Sequence, residues 1–298
     1  MSILLDRSNR VLVQGVTGQM GTFFVEDARK YGTNMVAGVS PGRAGTAVGD
    51  VPVFASVRAA VDATRADTAM VFVPPAAVLG AVIEALECGC KLVVATADEM
   101  PVADAIEVRA AARANGAVFV GPNTPGLISP GKAKMGFMPS FCYTQGNVGV
   151  ISRSGSLSYE GSKRITVAGI GQSTVIGIGG DPVKGTTAAE ALELFHRDPD
   201  THAVLYLGEI GGSEETFVAE YAARKDAKPV AALIVGKTAP PGKKMGHAAA
   251  LIGSRAEGHA AKQKMLRDAG VFVADGLRQV VAATEAALAS RRQTATAA

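Results

Sequence analysis

One histidine stands out for its neighbours. His247 lies in KTAPPGKKMGHAAAL, residues 237–251, just after an apolar run with strand character, and its flanks are Gly246 and Ala248. Those flanks are small enough to let another molecule approach the ring, although a surface loop histidine fits the same residues. Two more stretches carry groups that could act with it. In GVISRSGSLSYE a strand leads through a Ser/Gly turn, Ser152, Ser154, Gly155 and Ser156, into a helix. Free amides, hydroxyls and the positive helix end would hold a phosphate or carboxylate there, whereas an ordinary serine N-cap accounts for only one of the serines. The order is not G-x-S-x-G, which argues against a nucleophile elbow. In YLGEIGGSEE, Glu209 ends a strand beside Gly208, Gly211 and Gly212. A carboxylate at that place can fix one imidazole tautomer and free the other nitrogen to act; a capping or solvent-facing Glu fits equally well.

The first half offers a different site. VLVQGVTGQMGTFFVE sets Gly15, Gly18 and Gly21 between a strand and a helix, a G-x-x-G-x-x-G relative of the dinucleotide fingerprint. An NAD site also wants an acidic residue at the end of the second strand, and here that strand ends AGVSPGRAG, with Ser40 and Arg43. Arg43 suits an additional phosphate, so NADP and coenzyme A remain open at this point.

These residues need sheets to position them. Strand-like runs RVLVQG, NMVAGV, TAMVFV, KLVVAT and GAVFVG alternate with helical FVEDARKYG, LGAVIEALECG and AIEVRAAARANG. After TPGLISPGKAKMGFMPSFCYTQG the rhythm restarts with NVGVIS, QSTVIGIG, HAVLYLG, PVAALIVG and GVFVAD. Short apolar strands alternating with helices predict two doubly wound parallel sheets covered on both faces. All strands of a parallel sheet end on one side, so the serine turn, Glu209 and the His247 loop are expected to converge. That juxtaposition is what a phosphorylated histidine requires. No G-x-x-x-x-G-K-[ST] loop occurs, and GIGGDPVKGT has glycines in another order, so a nucleoside triphosphate has to come with a partner.

Composition is consistent with this frame. The 298 residues, 48% hydrophobic and 19% charged with a formal charge of +3, describe a globular chain with no electrostatic reason to bind nucleic acid. Three cysteines, Cys88, Cys90 and Cys142, make no disulfide framework, and Cys88-Gly-Cys90 lacks the partners of a zinc site, so no metal site is expected. No apolar run is long enough to span a membrane, and a cytoplasmic protein is expected.

The chain resembles the α subunits of the succinyl-CoA synthetases, the NDP-forming succinate–CoA ligases, over nearly its whole length. The resemblance rests on MSIL, QGVTGQMGTF, YGTNMVAGVSPG, GPNTPG, ISRSGSLSYE, GIGGDP, GEIGGS and TAPPGKKMGHA, in family order and spacing. It implies an α/β fold: an N-terminal Rossmann-like CoA-binding domain (1–125), a linker (126–145), a C-terminal flavodoxin-like, doubly wound ligase domain (146–290) and a tail (291–298). It implies His247 as the phosphorylated residue, Glu209 as its orienting carboxylate, and Ser154, Gly155 and Ser156 as the phosphate-binding helix start. CoA contacts would come from Thr17, Gly18, Gln19, Met20, Arg43, Thr96, Ala97 and Asp98, and substrate contacts from Tyr159, Asn123 and Thr124. An ATP-grasp β subunit, in an αβ or α2β2 complex, would bring ATP or GTP with Mg, and the acid would be a dicarboxylate in the tricarboxylic acid cycle.

The chain departs from the family at Thr124, where cysteine is usual, at Arg43, where lysine is usual, and at Glu99, where glycine is usual. The stretch just beyond His247 also diverges. These departures open a malate–CoA or other short dicarboxylate–CoA ligase as an alternative. Two rivals of other classes are an NADP-dependent dehydrogenase and a CoA-sensing protein without catalysis. Lys243 and Lys244 would steer anionic ligands or form a solvated loop, and no catalytic role is expected for His196, His202 or His259.

Overall fold

A computed structural model describes residues 2–240 and 242–296, with side chains described through Arg291. The chain divides into two compact units, Leu4–Met138 with Val183–Thr186, and Met1–Ile3 with Pro139–Pro182 and Thr187–Ala298.

The first unit runs β1 (Val11–Gln14), α1 (Gln19–Tyr31), β2 (Met35–Val39), β3 (Ala47–Val48), β4 (Val51–Phe54), α2 (Val57–Thr64) and β5 (Thr68–Val71). It continues with α3 (Val78–Glu87), β6 (Leu92–Ala95), α4 (Val102–Ala114), β7 (Val118–Val120), β8 (Gly126–Ser129) and β9 (Ala133–Gly136). Strands β1 to β7 form one sheet in the order β3-β4-β2-β1-β5-β6-β7, parallel except for the edge hairpin β3–β4. Without β3 this is the Rossmann order 3-2-1-4-5-6, which reverses direction between β1 and β5. Runs such as Val11–Val13 and Val93–Ala95 are completely buried because helices cover both faces.

The five expected strands of this half correspond to β1, β2, β5, β6 and β7. The stretch GTAVGDVPVF, which showed no strand signal among its glycines and Pro52, forms β3 and β4. Pro52 is exposed on its strand, where the missing N–H does little harm to the ladder. The expected linker 126–145 is not a linker throughout: it begins with the antiparallel hairpin β8–β9. Gly126 (φ 105) and Gly136 (φ 86) let the two backbones approach so closely that a Cβ on either would collide with the other strand. This close approach left no side-chain periodicity to read.

The second unit runs β10 (Gln145–Ser152), α5 (Gly155–Val167), β11 (Gln172–Gly177), α6 (Ala188–Arg197), β12 (Ala203–Glu209) and α7 (Glu214–Ala222). It ends with β13 (Val230–Val235), α8 (His259–Asp268), β14 (Phe272–Ala274) and α9 (Val280–Thr296). The order β14-β13-β12-β10-β11 is parallel throughout. Counted from β10 it is the flavodoxin order 2-1-3-4-5, with its reversal between β10 and β12. Helical backbone continues through Thr296, so most of the expected tail 291–298 extends α9, and residues 297–298 lie outside the described residues. No helix among the described residues is long and apolar enough to cross a membrane.

Candidate active site

The reversal between β10 and β12 opens a crevice at the carboxyl ends of the strands, and the second unit's candidate residues come from there. Ser152 ends β10, Glu209 ends β12, and β13 on the other side of β12 leads into the loop of His247. The serine turn divides its work. The Ser152 hydroxyl donates to the Ser154 carbonyl at 2.7 Å and accepts from the Ser154 amide at 3.2 Å, which shapes the turn. Ser154 is the N-cap of α5, but its side chain accepts from the Leu157 amide only at 3.5 Å, the long limit for such a bond. Ser156 is exposed, Gly155 half-buried, and no acidic residue occupies the first turn of α5. Tyr159, one turn along, is half-buried, and burial pushes its phenol above the ordinary tyrosine value.

Glu209 and His247 meet. The imidazole Nδ1 lies 2.8 Å from Glu209 Oε2 across 38 residues of sequence. An ionised carboxylate only accepts, so Nδ1–H donates and the lone pair of the neutral ring sits on Nε2. The loop carrying the ring is held on two sides. The Ala249 amide donates to the Gly180 carbonyl at 3.2 Å, and Gly211 packs against the backbone at Ala249 and Leu251. Gly180 has its own reason: a Cβ there would stand 2.5 Å from His247 Cγ and 2.7 Å from Nδ1. Glu209 is buried, while the His247 side chain keeps 29% of its surface open. A carboxylate-oriented imidazole with an accessible face is a competent nucleophile toward phosphorus.

Sequence reasoning missed what lies beneath this pair. Arg153, Glu215 and Lys262 have side chains 1%, 0% and 2% exposed and are joined in one ionic cluster. Burial opposes the Arg153 charge, yet Tyr206, Glu215 and Glu209 around it hold its pKa above the ordinary arginine value. Burial draws the Lys262 ammonium below the ordinary lysine value, with Glu215 working against that. Arg153 and Glu215 lie inside the quoted motifs, but an Arg and a Glu next to turns read as surface charges. Lys262 had no signal beyond its place on an amphipathic helix.

In the first unit the glycine turn stands at the β1/β5 reversal. Gly18 is the N-cap of α1 and has no side-chain cap, and Thr17, Gly18, Gln19 and Met20 are all exposed. Gly15 (φ 76) is required by the turn, since a Cβ would run into the Phe72 carbonyl. Thr17 Oγ1 lies 2.8 Å from Ser40 Oγ, and Arg43 stands exposed in the short turn after β2. Thr96 and Ala97 are half-buried and Asp98 exposed after β6, where the Asn123 amide donates to the Ala97 carbonyl at 2.8 Å. Uncapped amides with an arginine beside them fit an anionic, phosphate-bearing ligand.

The departures have local explanations. Glu99 is exposed at φ 62, a conformation glycine adopts freely. Thr124 is buried, and its hydroxyl accepts from the Gly126 amide at 2.9 Å.

Lys243 and Lys244, four and three residues before His247 on the same loop, are exposed. His196 lies 3.2 Å from the Tyr221 hydroxyl and His202 3.1 Å from Asn147 Nδ2, while burial lowers the His259 pKa. Cys88, Cys90 and Cys142 are free thiols, and burial pushes Cys90 up to about 12. Among the described residues no group of three or more His, Cys, Asp or Glu is placed to hold a metal ion.

Residues 6–98 match the CoA binding domain family and residues 151–286 the CoA-ligase family. The chain is 46% identical over 275 residues to the succinate–CoA ligase [ADP-forming] α subunit of Aquifex aeolicus, covering 92% of this chain and 90% of that one. The chain belongs to the succinate–CoA ligase α-subunit family. Members of this family of acid–thiol ligases differ in their acid. The malate–CoA ligase α subunit of Methylorubrum extorquens is 44% identical over 92% of this chain and 94% of its own length. The ADP-forming sulfoacetate–CoA ligase subunit of Bilophila wadsworthia is 47% identical over 85% and 87%. Among solved structures, ATP citrate lyase from Methanothrix soehngenii has the same fold, with a TM-score of 0.88 and 22% identity over 98% of this chain. This chain spans about half of that one, 51%. The CoA-binding match favours CoA over NADP at the glycine turn, and the family is one whose α subunits work with a β subunit.

Proposed function

We propose that this chain is the phosphohistidine-carrying α subunit of an ADP-forming succinate–CoA ligase. The observation that carries the reading is the 2.8 Å contact between His247 Nδ1 and Glu209 Oε2 at the carboxyl edge of the second sheet. His247 Nε2 takes the terminal phosphoryl group of a nucleoside triphosphate held, with Mg, by an ATP-grasp β subunit, and the diphosphate leaves. The α5 helix start at Ser154, Gly155 and Ser156 then offers amides to the phosphoryl oxygens. A carboxylate oxygen of the acid attacks phosphorus, the N–P bond breaks, and Nε2 recovers its lone pair as the acyl phosphate forms. The CoA thiolate attacks the acyl carbon, inorganic phosphate departs and the thioester remains. Glu209 keeps Nδ1 protonated throughout, so one nitrogen is always aimed at phosphorus.

In the first unit Thr17–Met20, Arg43 and Thr96–Asp98 hold CoA, with Asn123 and Thr124 as acid contacts; Tyr159, the other acid contact that the resemblance implies, belongs to the second unit. The reaction belongs to the tricarboxylic acid cycle, in either direction, and the free thiols support a cytoplasmic setting. A second reading, malate as the acid, draws support from the malate–CoA ligase relative and from the buried hydroxyl at Thr124.

The test is co-purification with the candidate β subunit, addition of labelled ATP, and peptide mapping of acid-labile phosphate, with His247→Asn as control. Phosphate on His247 discharged by CoA with succinate, malate or sulfoacetate establishes the ligase and names its acid. An intact, CoA-binding complex that takes no phosphate would leave the sensor reading in its place.

A further inference from the structure

Beneath the Glu209–His247 pair lies a charge cluster that none of the steps above uses. Arg153, the residue after β10, donates from Nη1 to the Glu209 carbonyl at 3.1 Å, the Gly211 carbonyl at 2.8 Å and Glu215 Oε1 at 3.2 Å. Lys262, from α8, donates to the same two carbonyls at 3.0 and 2.6 Å and also to Glu215 Oε2. Tyr206 completes the cluster, donating to Glu215 Oε1 at 2.9 Å. Two cations therefore hold the backbone at the end of β12 and in the turn after it, and Glu215 balances part of their charge.

One contact in this cluster reaches the reacting pair. Arg153 Nη2 stands 3.3 Å from Glu209 Oε1, the oxygen that His247 does not use. Neither atom makes a directional hydrogen bond among the described residues, so this is a charge contact. A buried carboxylate facing an imidazole favours the imidazolium, which carries protons on both nitrogens and has no lone pair to attack phosphorus. A guanidinium against the other oxygen works in the opposite direction. With Arg153 and Lys262 against Glu209 and Glu215, the cluster is balanced when the imidazole is neutral. Among the described residues, other charged groups on the segments around the pair include Asp181, which follows Gly180, the exposed Lys243 and Lys244 of the His247 loop, and Glu257, whose carbonyl accepts from the Gly211 amide and whose carboxylate accepts from the Gly253 amide.

We propose that Arg153 is a positioning residue: it fixes the end of β12, where Glu209 stands, and offsets the Glu209 charge, so that the carboxylate orients His247 without holding it as imidazolium. The proposal rests on His247 being the phosphoryl acceptor, and its test separates the two. Full-length chain with its β subunit would be phosphorylated by labelled ATP across pH 5.5–9, as wild type, Arg153→Lys and the charge-balanced double variant Arg153→Met/Glu215→Gln. Circular dichroism and CoA binding check the fold. In the double variant the acid limb of the phosphorylation rate moves up by about one pH unit, so the rate on that limb falls about tenfold while the alkaline plateau stays within about threefold. Arg153→Lys keeps the wild-type limb. Titration of the His247 ring by NMR in the full-length chain moves by the same amount. An unmoved limb and ring titration in a folded double variant would overturn the proposal, as would a loss uniform across pH that Lys does not restore. If wild type takes no phosphate, the functional reading fails and the NMR titration alone still decides the role of Arg153.

Discussion

The two sheets present the same local device, a strand, a small-residue turn and a helix start at the reversal of strand order, with opposite surroundings. In the first unit the turn is glycine, Thr17 to Met20 are exposed, and the nearby cation is Arg43, also exposed. In the second unit the turn is serine, the residue after the strand is the buried Arg153, and the next strand ends in the buried Glu209. The first arrangement offers amides and one charge in a solvent-exposed setting. The second places its charges where water cannot screen them, so a carboxylate can dictate the state of one imidazole. The same local device thus suits anion binding in one unit and covalent chemistry in the other, and the burial of charge makes the difference.

That contrast can be broken at several strengths. His247→Asn is expected to reduce ligase turnover about 10⁴-fold or more while leaving CoA binding intact, measured by thioester formation and by calorimetry with CoA. If turnover survives, the buried-charge site is not the chemical one. Glu215→Ala leaves the two buried cations Arg153 and Lys262 with Glu209 as their one carboxylate among the described residues, and a loss of about 3–5 kcal/mol in urea unfolding is expected. A loss under about 1 kcal/mol would mean that water reaches the cluster. Gly180→Ala drives a methyl group into the His247 ring, which must move off Glu209. Turnover should drop about 10²-fold with unfolding nearly unchanged, because the ring sits on a loop that can yield. The smallest effect belongs to the exposed site. Arg43→Ala should raise the KM for CoA about tenfold, more at low salt than at high, with His247 phosphorylation unaffected. A comparable loss of phosphorylation would show that the two sites do not divide the work as their burial suggests.

How far the sequence could be read follows the same division. Strands such as VLV and LVVA declared themselves because both of their faces are buried. Thr17 to Met20 and Ser154 to Ser156 were legible because turns that expose amides need small or hydroxylated residues at fixed positions. The β3–β4 hairpin was not, because its strands are short and lie among glycines and Pro52, and β8–β9 was not, since Gly126 and Gly136 pack backbone against backbone, which leaves no alternation of side chains. Arg153, Glu215 and Lys262 stayed hidden for another reason: one-dimensional sequence does not reveal which charges are buried together.

The residues alone determined that there would be two parallel sheets, that a small-residue turn and a helix start would follow the first strand of each, and that Glu209 and the His247 loop would leave the same sheet edge. Hydrophobic runs and turn residues encode such features locally, and parallel strands share their direction. Only the tertiary structure decided that the imidazole and carboxylate meet at 2.8 Å, that Gly180 makes room for the ring, and that Arg153 stands behind Glu209. Those contacts join residues 38 to 67 positions apart, such as Glu209 with His247 and Gly180 with His247. Their energies depend on burial, a property of the packed chain and not of any segment of it.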